Sequence, residues 1–278
     1  MLLPNLFVIG AMKCGTSSLH HYLDQHPQVS MSSNKEPNVF LAPDWRQEVS
    51  RYAEMLDPDA AVRGESSTNY TKFPKFPDAP ARIAGLVPDA KLIYVAGDPI
   101  QRTLAHYAQT VSDETESRSL DEAVSDFEDP ENTYVWNGRY ATQAERFLAH
   151  FPASSLLVLD QADLRSDRVG TMREVFRFLG VDDAFSSPEF ESMLNTRRER
   201  RRVGSLGTRV RESRAAGVYR RIPARVRRPM TQTAHRVLSR PVERPALDDD
   251  LRARLVELYE PEIERLAELS GRRIRWAR

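Results

Sequence analysis

Residues 6–23 read LFVIGAMKCGTSSLHHYL, and this stretch decides the fold. Leu6 to Ile9 is a short, β-rich run with no polar face, as expected of a strand covered on both sides of a parallel sheet. The chain then turns through Gly10-Ala11-Met12-Lys13-Cys14-Gly15, and from Thr16 onward Leu19, Tyr22 and Leu23 recur at helical spacing. Strand, loop and helix therefore follow in order. The turn brings backbone N–H groups, Lys13 and the hydroxyls of Thr16, Ser17 and Ser18 to a helix N-terminus, which is a built anion site. It is not the nucleoside triphosphate loop G-x-x-x-x-G-K-[ST], because Thr16 follows Gly15 and the lysine comes earlier, inside the loop.

Working outward, the same unit recurs. Lys91 to Ala96 (KLIYVA) precedes Asp98-Pro99 and a helical pattern through Leu104, Tyr107 and Val111. Leu156 to Leu159 (LLVL) leads through DQADL into one helix carrying Met172, Val175, Phe176 and Leu179, closed by Gly180. Tyr140 to Phe151 reads as an amphipathic helix, and Asp248 to Leu269 as a long one with Leu251, Leu255, Leu258, Ile263 and Leu266 on one face. This alternation predicts an α/β fold with a P-loop-type, doubly wound parallel sheet flanked by helices in three layers, αβα. Ligands of such sheets bind at the strand carboxyl ends, so the loops after Ile9, Ala96 and Leu159 should carry the site.

The 278 residues carry 40 Lys and Arg against 40 Asp and Glu, are 40% hydrophobic and include one cysteine, Cys14. That is the profile of a soluble globular protein, and it excludes a disulfide framework or a cysteine zinc site within the chain. The start lacks a basic leader and no apolar run approaches the ~18 residues that cross a bilayer, so a cytoplasmic protein is expected. The even balance hides an asymmetry: residues 197–244 hold 16 Arg and only three acidic residues. A basic excursion, irregular or helical, is expected over about 197–245 within an otherwise single domain spanning 1–278. Arginine outnumbers lysine 35 to 5, which makes Lys13, Lys35, Lys72, Lys75 and Lys91 worth following.

The segments G-x-x-K-x-G-T-S-S-L after the first strand, Lys35-Glu36-Pro37-Asn38-Val39-Phe40, Gly64-Glu65-Ser66-Ser67-Thr68-Asn69-Tyr70, and Asp98-Pro99-x-x-Arg102-x-x-x-His106-Tyr107 together resemble the sulfotransferases that use 3′-phosphoadenosine 5′-phosphosulfate (PAPS). The bacterial and heparan-sulfate-type branch is the nearest likeness, and a terminal Trp276 fits it. Three positions depart from that pattern. Gly97 and Ala105 stand where the family has its 3′-phosphate arginine and serine, and Ser66 where many heparan-type relatives have lysine.

The resemblance implies a PAPS-dependent transferase that moves a sulfuryl group to a hydroxyl or amine and releases 3′,5′-adenosine bisphosphate, with no metal. Lys13 would neutralise the leaving phosphate oxygen, while Cys14, Gly15, Thr16, Ser17 and Ser18 cradle the 5′-phosphate. Arg102, or Arg201 and Arg202, would replace the missing 3′-phosphate ligands. Glu36 would be the base, and Lys35, Phe40, Glu65 and Tyr70 would meet the acceptor, a glycan, lipid or small molecule. Neighbours on an extended segment face opposite ways, so no Lys35–Glu36 pair is expected. His20, His21 and His106 lie on helices, where packing or surface roles predominate.

Two other classes are open on the residues alone. A Mg²⁺-dependent kinase could use Asp98 or Asp160 as its metal acid, although the G-K-[ST] order is missing. A non-catalytic sulfotransferase-like binding protein would account for Gly97 and Ala105. The arginine tract lacks interleaved aromatics, so no specific nucleic-acid partner is expected, and peripheral membrane contact is the most its charge suggests.

Overall fold

The computed structural model describes residues 2–191, 201–203, 239–241 and 247–277. Five parallel strands, β1 (Leu6–Gly10), β2 (Val29–Met31), β3 (Val62–Ser66), β4 (Lys91–Ala96) and β5 (Leu156–Asp160), form one sheet in the order β2-β3-β1-β4-β5. Its centre is dry: Leu6, Phe7, Val8 and Ile9 of β1 and Leu92 to Ala96 of β4 are all fully buried. Burying each such large aliphatic or aromatic side chain contributes roughly 1.5–3 kcal/mol, so these two strands anchor the domain.

Helices cover both faces, giving the three layers expected. In chain order they are α1 (Thr16–Leu23), α2 (Trp45–Glu48), α3 (Tyr52–Met55), α4 (Ala79–Leu86), α5 (Pro99–Ser112), α6 (Leu120–Val124), α7 (Thr133–Trp136), α8 (Tyr140–Leu148), α9 (Gln161–Ser166), α10 (Arg168–Leu179) and α11 (Asp249–Ser270). A second core, separate from that on the sheet, joins Ile100 of α5 to Leu120, Val124, Tyr134 and Val135, with Leu251, Leu255 and Tyr259 of α11 closing it.

Three local expectations are corrected. The sequence pattern reveals three strands, and β2 and β3 are additional: β2 is only three residues long, and β3 (VRGES) hides behind Arg63 and Glu65. Both charges have local reasons, since Arg63 donates to the carbonyls of Leu3 and Ala60 at the strand's start, and Glu65 is buried at its end. The helix after β5 is two helices, because Asp167 interrupts it and caps α10 through the Gly170 N–H. On α11 the buried series is Leu251, Leu255, Tyr259, Ile263 and Leu266, with Tyr259 in the place expected of Leu258. Most of the basic stretch lies outside the described residues. Its two described pieces, β6 (Arg201–Val203) and β7 (Ser239–Pro241), are antiparallel strands rather than helix or irregular chain, and β6 runs against α5.

The topology fixes where a ligand can sit. From β1 the chain leads toward β2 and β3 on one side, whereas from β4 it leads to β5 on the other. The crevice between the carboxyl ends of β1 and β4 is therefore the switch point, flanked by the Gly10–Ser18 turn and the Gly97–Arg102 turn.

Candidate active site

The β1–α1 turn is shaped for an anion by its backbone. Lys13 and Gly15 both have positive φ, 72° and 99°, and Gly15 serves as the residue before the helix. A β-carbon makes that conformation costly, which is why glycine occupies position 15. The opening residues of α1 follow; the Ser18 N–H is donated back to the Gly15 carbonyl at 3.0 Å, and the Thr16 and Ser17 N–H groups precede the first acceptor of the helix. Cys14 does not share this role in full: its N–H is donated to the Ala11 carbonyl, and its buried thiol lies 3.4 Å from the Tyr140 hydroxyl. The Lys13 carbonyl is tied down from the far side of the crevice, where the Gln161 amide at the start of α9 donates to it at 3.0 Å.

Gln161 also explains Gly97. A β-carbon at position 97 would come within 2.6 Å of Gln161 Oε1, so the glutamine that holds the Lys13 loop fills the space a side chain on Gly97 would need. The acids around this turn are likewise committed. Asp98 caps α5 through the Gln101 N–H and accepts the Ala277 N–H; Asp160 caps α9 through Ala162 and accepts Arg275. The C-terminal residues thus lie across the ends of β4 and β5. Among the described residues no group of three or more His, Cys, Asp or Glu side chains is placed to hold a metal ion.

Arg102 is 2% exposed, its guanidinium donating to the Tyr134 carbonyl and to Thr103 Oγ1. Its Nε and Nη1 are buried without a partner. His106, one turn later, lies under the Tyr134 ring, and burial together with the charges of Arg102, Lys72 and Lys13 depresses it to about 2. Backbone only is described for Arg201 and Arg202, on β6 beside α5.

Glu36 sits across the site on the segment after β2. Its φ is 64° and that of Asn38 56°, so the segment is not extended, and the Lys35 ammonium folds back to within 2.7 Å of Glu36 Oε1. The pair not expected from strand geometry forms for this reason. Thr68 Oγ1 donates to the same oxygen at 3.4 Å, and the Glu36 N–H is held by the Ser66 carbonyl at 2.9 Å. From α1, His20 meets Ser66 Oγ at 2.9 Å; burial and the charge of Lys35 lower its pKa to about 4. The anion turn and Glu36 are thereby joined through one pair of side chains. His21 instead faces Glu189 on the outside.

Three side chains expected at the acceptor are interior. Phe40 is fully buried among Phe7, Trp45, Tyr52 and Tyr70; Tyr70 is 2% exposed; Glu65 is fully buried with Tyr52 and Tyr70. An apolar ring in that position fills the gap between sheet and loop, so packing rather than recognition explains its size. Lys72, marked in the sequence only by the scarcity of lysine and given no role there, joins the site in the structure. Burial lowers it to about 8 against the pull of Glu36, with Arg102 also in range. The scarcity of lysine is the signal that could have found it: three of five lysines gather here.

The architecture is one that sulfotransferases share. A sulfotransferase family profile matches residues 55–185. The chain is 30% identical over 206 residues to mouse bifunctional heparan sulfate N-deacetylase/N-sulfotransferase 4, covering 67% of this chain and 23% of that protein. It is 29% identical over 196 residues to mouse heparan sulfate glucosamine 3-O-sulfotransferase 3B1, covering 68% and 49%. A sulfotransferase from Alicyclobacillus acidocaldarius has the same fold, with a TM-score of 0.69, 24% identity and coverage of 99% and 98%. The chain belongs to the sulfotransferase family. It spans about a quarter to a half of the length of the two curated relatives. No helix among the described residues is long and apolar enough to cross a membrane.

Proposed function

We propose that the protein transfers the sulfuryl group of PAPS to a hydroxyl or amine of a glycan, lipid or small-molecule acceptor in the cytoplasm. One observation carries this reading: the Lys13 turn and Glu36 meet at the same end of the sheet, linked by His20, Ser66 and the Glu36 N–H. Sulfuryl transfer is an in-line displacement that needs an anion cradle and a cation at the leaving oxygen on one side, and a proton acceptor on the other. Lys13 and the first turn of α1 supply the former; Glu36 supplies the latter. When bound, the donor contributes the sulfuryl group and a phosphate monoester as leaving group.

Within the chain, Gly15, Thr16, Ser17 and Ser18 hold the 5′-phosphate with N–H and O–H donors, and Lys13 lies beside them. Arg102 suits the 3′-phosphate chemically, since two of its donors are buried and unsatisfied, and Arg201 and Arg202 lie on the strand next to it. Lys35 and Thr68 hold the Glu36 carboxylate, and Lys72 adds a cation on that side. A kinase reading fits less well: Asp98 and Asp160 are spent on helix caps and on the C-terminal segment.

The test is transfer of labelled sulfuryl from PAPS to a heparosan oligosaccharide with free amino groups and to 2-naphthol. Either product, its formation lowered about 10²-fold by Glu36→Gln with binding of 3′,5′-adenosine bisphosphate intact, is the expected result. Bisphosphate binding with no transfer to either would favour the non-catalytic nucleotide-binding reading.

A further inference from the structure

Glu65 is a fully buried carboxyl directly beneath the segment that carries Glu36. Burial pushes it up to about 7, and the hydroxyls of Tyr70, Tyr52 and Ser67 around it hold back a larger rise. A buried acid with no cation beside it costs stability, so hydrophobic or amide replacements would suit the core better. What it touches gives the reason for its presence. Ser67 Oγ donates to Glu65 Oε2 at 3.2 Å and accepts the Asn38 N–H at 3.2 Å. The Tyr70 hydroxyl feels the charge of the same carboxyl and accepts the Phe40 N–H at 3.4 Å, while Glu65 Oε1 is buried with no hydrogen-bond partner among the described residues. Two hydroxyls thus stand between one carboxylate and two backbone amides of the segment that carries Glu36.

A hydroxyl has a single proton and can point it only one way. Above about pH 7, where Glu65 is ionised, its carboxylate accepts only, so it draws the protons of Ser67 and Tyr70 toward itself and leaves their lone pairs for Asn38 and Phe40. An uncharged amide or acid has a donor of its own and imposes no such polarity. The segment it steadies needs steadying, because Glu36 and Asn38 both have positive φ, a conformation unfavourable for a residue with a β-carbon.

Resting on the assignment of Glu36 as base, we propose that Glu65 is a positioning residue, whose carboxylate orders the Ser67 and Tyr70 hydroxyls so that they clamp the 36–40 segment, left-handed at Glu36 and Asn38, and aim Glu36. It acts through that segment and touches neither donor nor acceptor.

The experiment compares wild type, Glu65→Gln, Glu36→Gln and the double variant. The first readout, amide hydrogen exchange, does not depend on activity. In Glu65→Gln, exchange in peptides covering residues 36–41 should rise roughly tenfold, the size expected from losing one or two hydrogen bonds, with the β1–α1 turn unchanged. The second is sulfuryl transfer from PAPS to 2-naphthol and to the heparosan oligosaccharide. Glu65→Gln should lower kcat roughly tenfold at unchanged KM for PAPS, and have no further effect in the Glu36→Gln background. Unchanged exchange at 36–41 would overturn the proposal, as would additive losses in the double variant. If Glu36→Gln leaves transfer intact, the base assignment fails on its own, and the exchange result still decides whether Glu65 clamps the segment.

Discussion

Two turns face each other across the crevice between β1 and β4, and they differ in how they meet the sulfotransferase pattern. The β1–α1 turn keeps every element that an anion cradle needs: a lysine in the loop, Gly15 at φ 99° and three hydroxyls entering α1. The β4–α5 turn has lost its usual side chains, with Gly97 filled in by Gln161 and Asp98 engaged by Gln101 and Ala277. On the proposed reading, one side holds the phosphate that the donor presents at the reacting end. The other side, farther from the chemistry, has been rebuilt around a glutamine that braces the first.

The largest effect should come from breaking the intact turn. Lys13→Ala is expected to lower transfer from PAPS about 10²–10³-fold, the size of losing a preorganised donor to a developing charge, while the melting temperature stays near that of wild type. Glu36→Gln should cost about 10²-fold in kcat without altering bisphosphate affinity, as calorimetry would show. The rebuilt turn breaks differently. Gly97→Arg forces Gln161 aside and should destabilise the fold by about 1–3 kcal/mol in urea unfolding. Adding Gln161→Ala should recover most of that loss and, with the room vacated, tighten bisphosphate binding; an unimproved double variant would show that position 97 no longer faces the nucleotide.

A smaller effect concerns pH. His106 and His20 are held neutral by burial, at about 2 and about 4 against 6.5 in the unfolded chain. Between 6.5 and those values the unfolded chain binds more protons, so stability falls as pH drops below 6.5. Glu65 works oppositely, taking its proton near 7 when folded and near 4.5 when unfolded, and offsets part of the loss. His106→Gln should therefore flatten the decline of the melting temperature between pH 6.5 and 4.5, measured by calorimetry in steps of pH.

Much of the fold could be read because its strongest signals are local. LFVI, KLIYVA and LLVL are apolar on both faces, and each precedes a helix, which is enough for a parallel sheet. β3 escaped because a buried Glu65 and a carbonyl-bound Arg63 interrupt its pattern, and what satisfies them comes from elsewhere in the fold. The same distinction divides the site. Lys13 and Gly15 act through the backbone next to them and are legible. Gln161 reaches its partner 148 residues away, Lys72 is defined by burial and by Glu36 and Arg102 from two other segments, and the Lys35–Glu36 contact depends on a positive φ that no residue type announces. Phe40 and Tyr70 show the converse, since an aromatic near a motif looks the same in sequence whether it lines a pocket or fills a core.

The most direct test of the account is thermal stability of the purified protein against 3′,5′-adenosine bisphosphate, 5′-AMP and Mg-ATP. The bisphosphate at ~100 times its dissociation constant should stabilise the wild type by about 2.7 kcal/mol, with smaller responses to the other two and none in Lys13→Ala. Silence toward the bisphosphate, or an equal response in Lys13→Ala, would contradict the claim that the β1–α1 turn holds the donor.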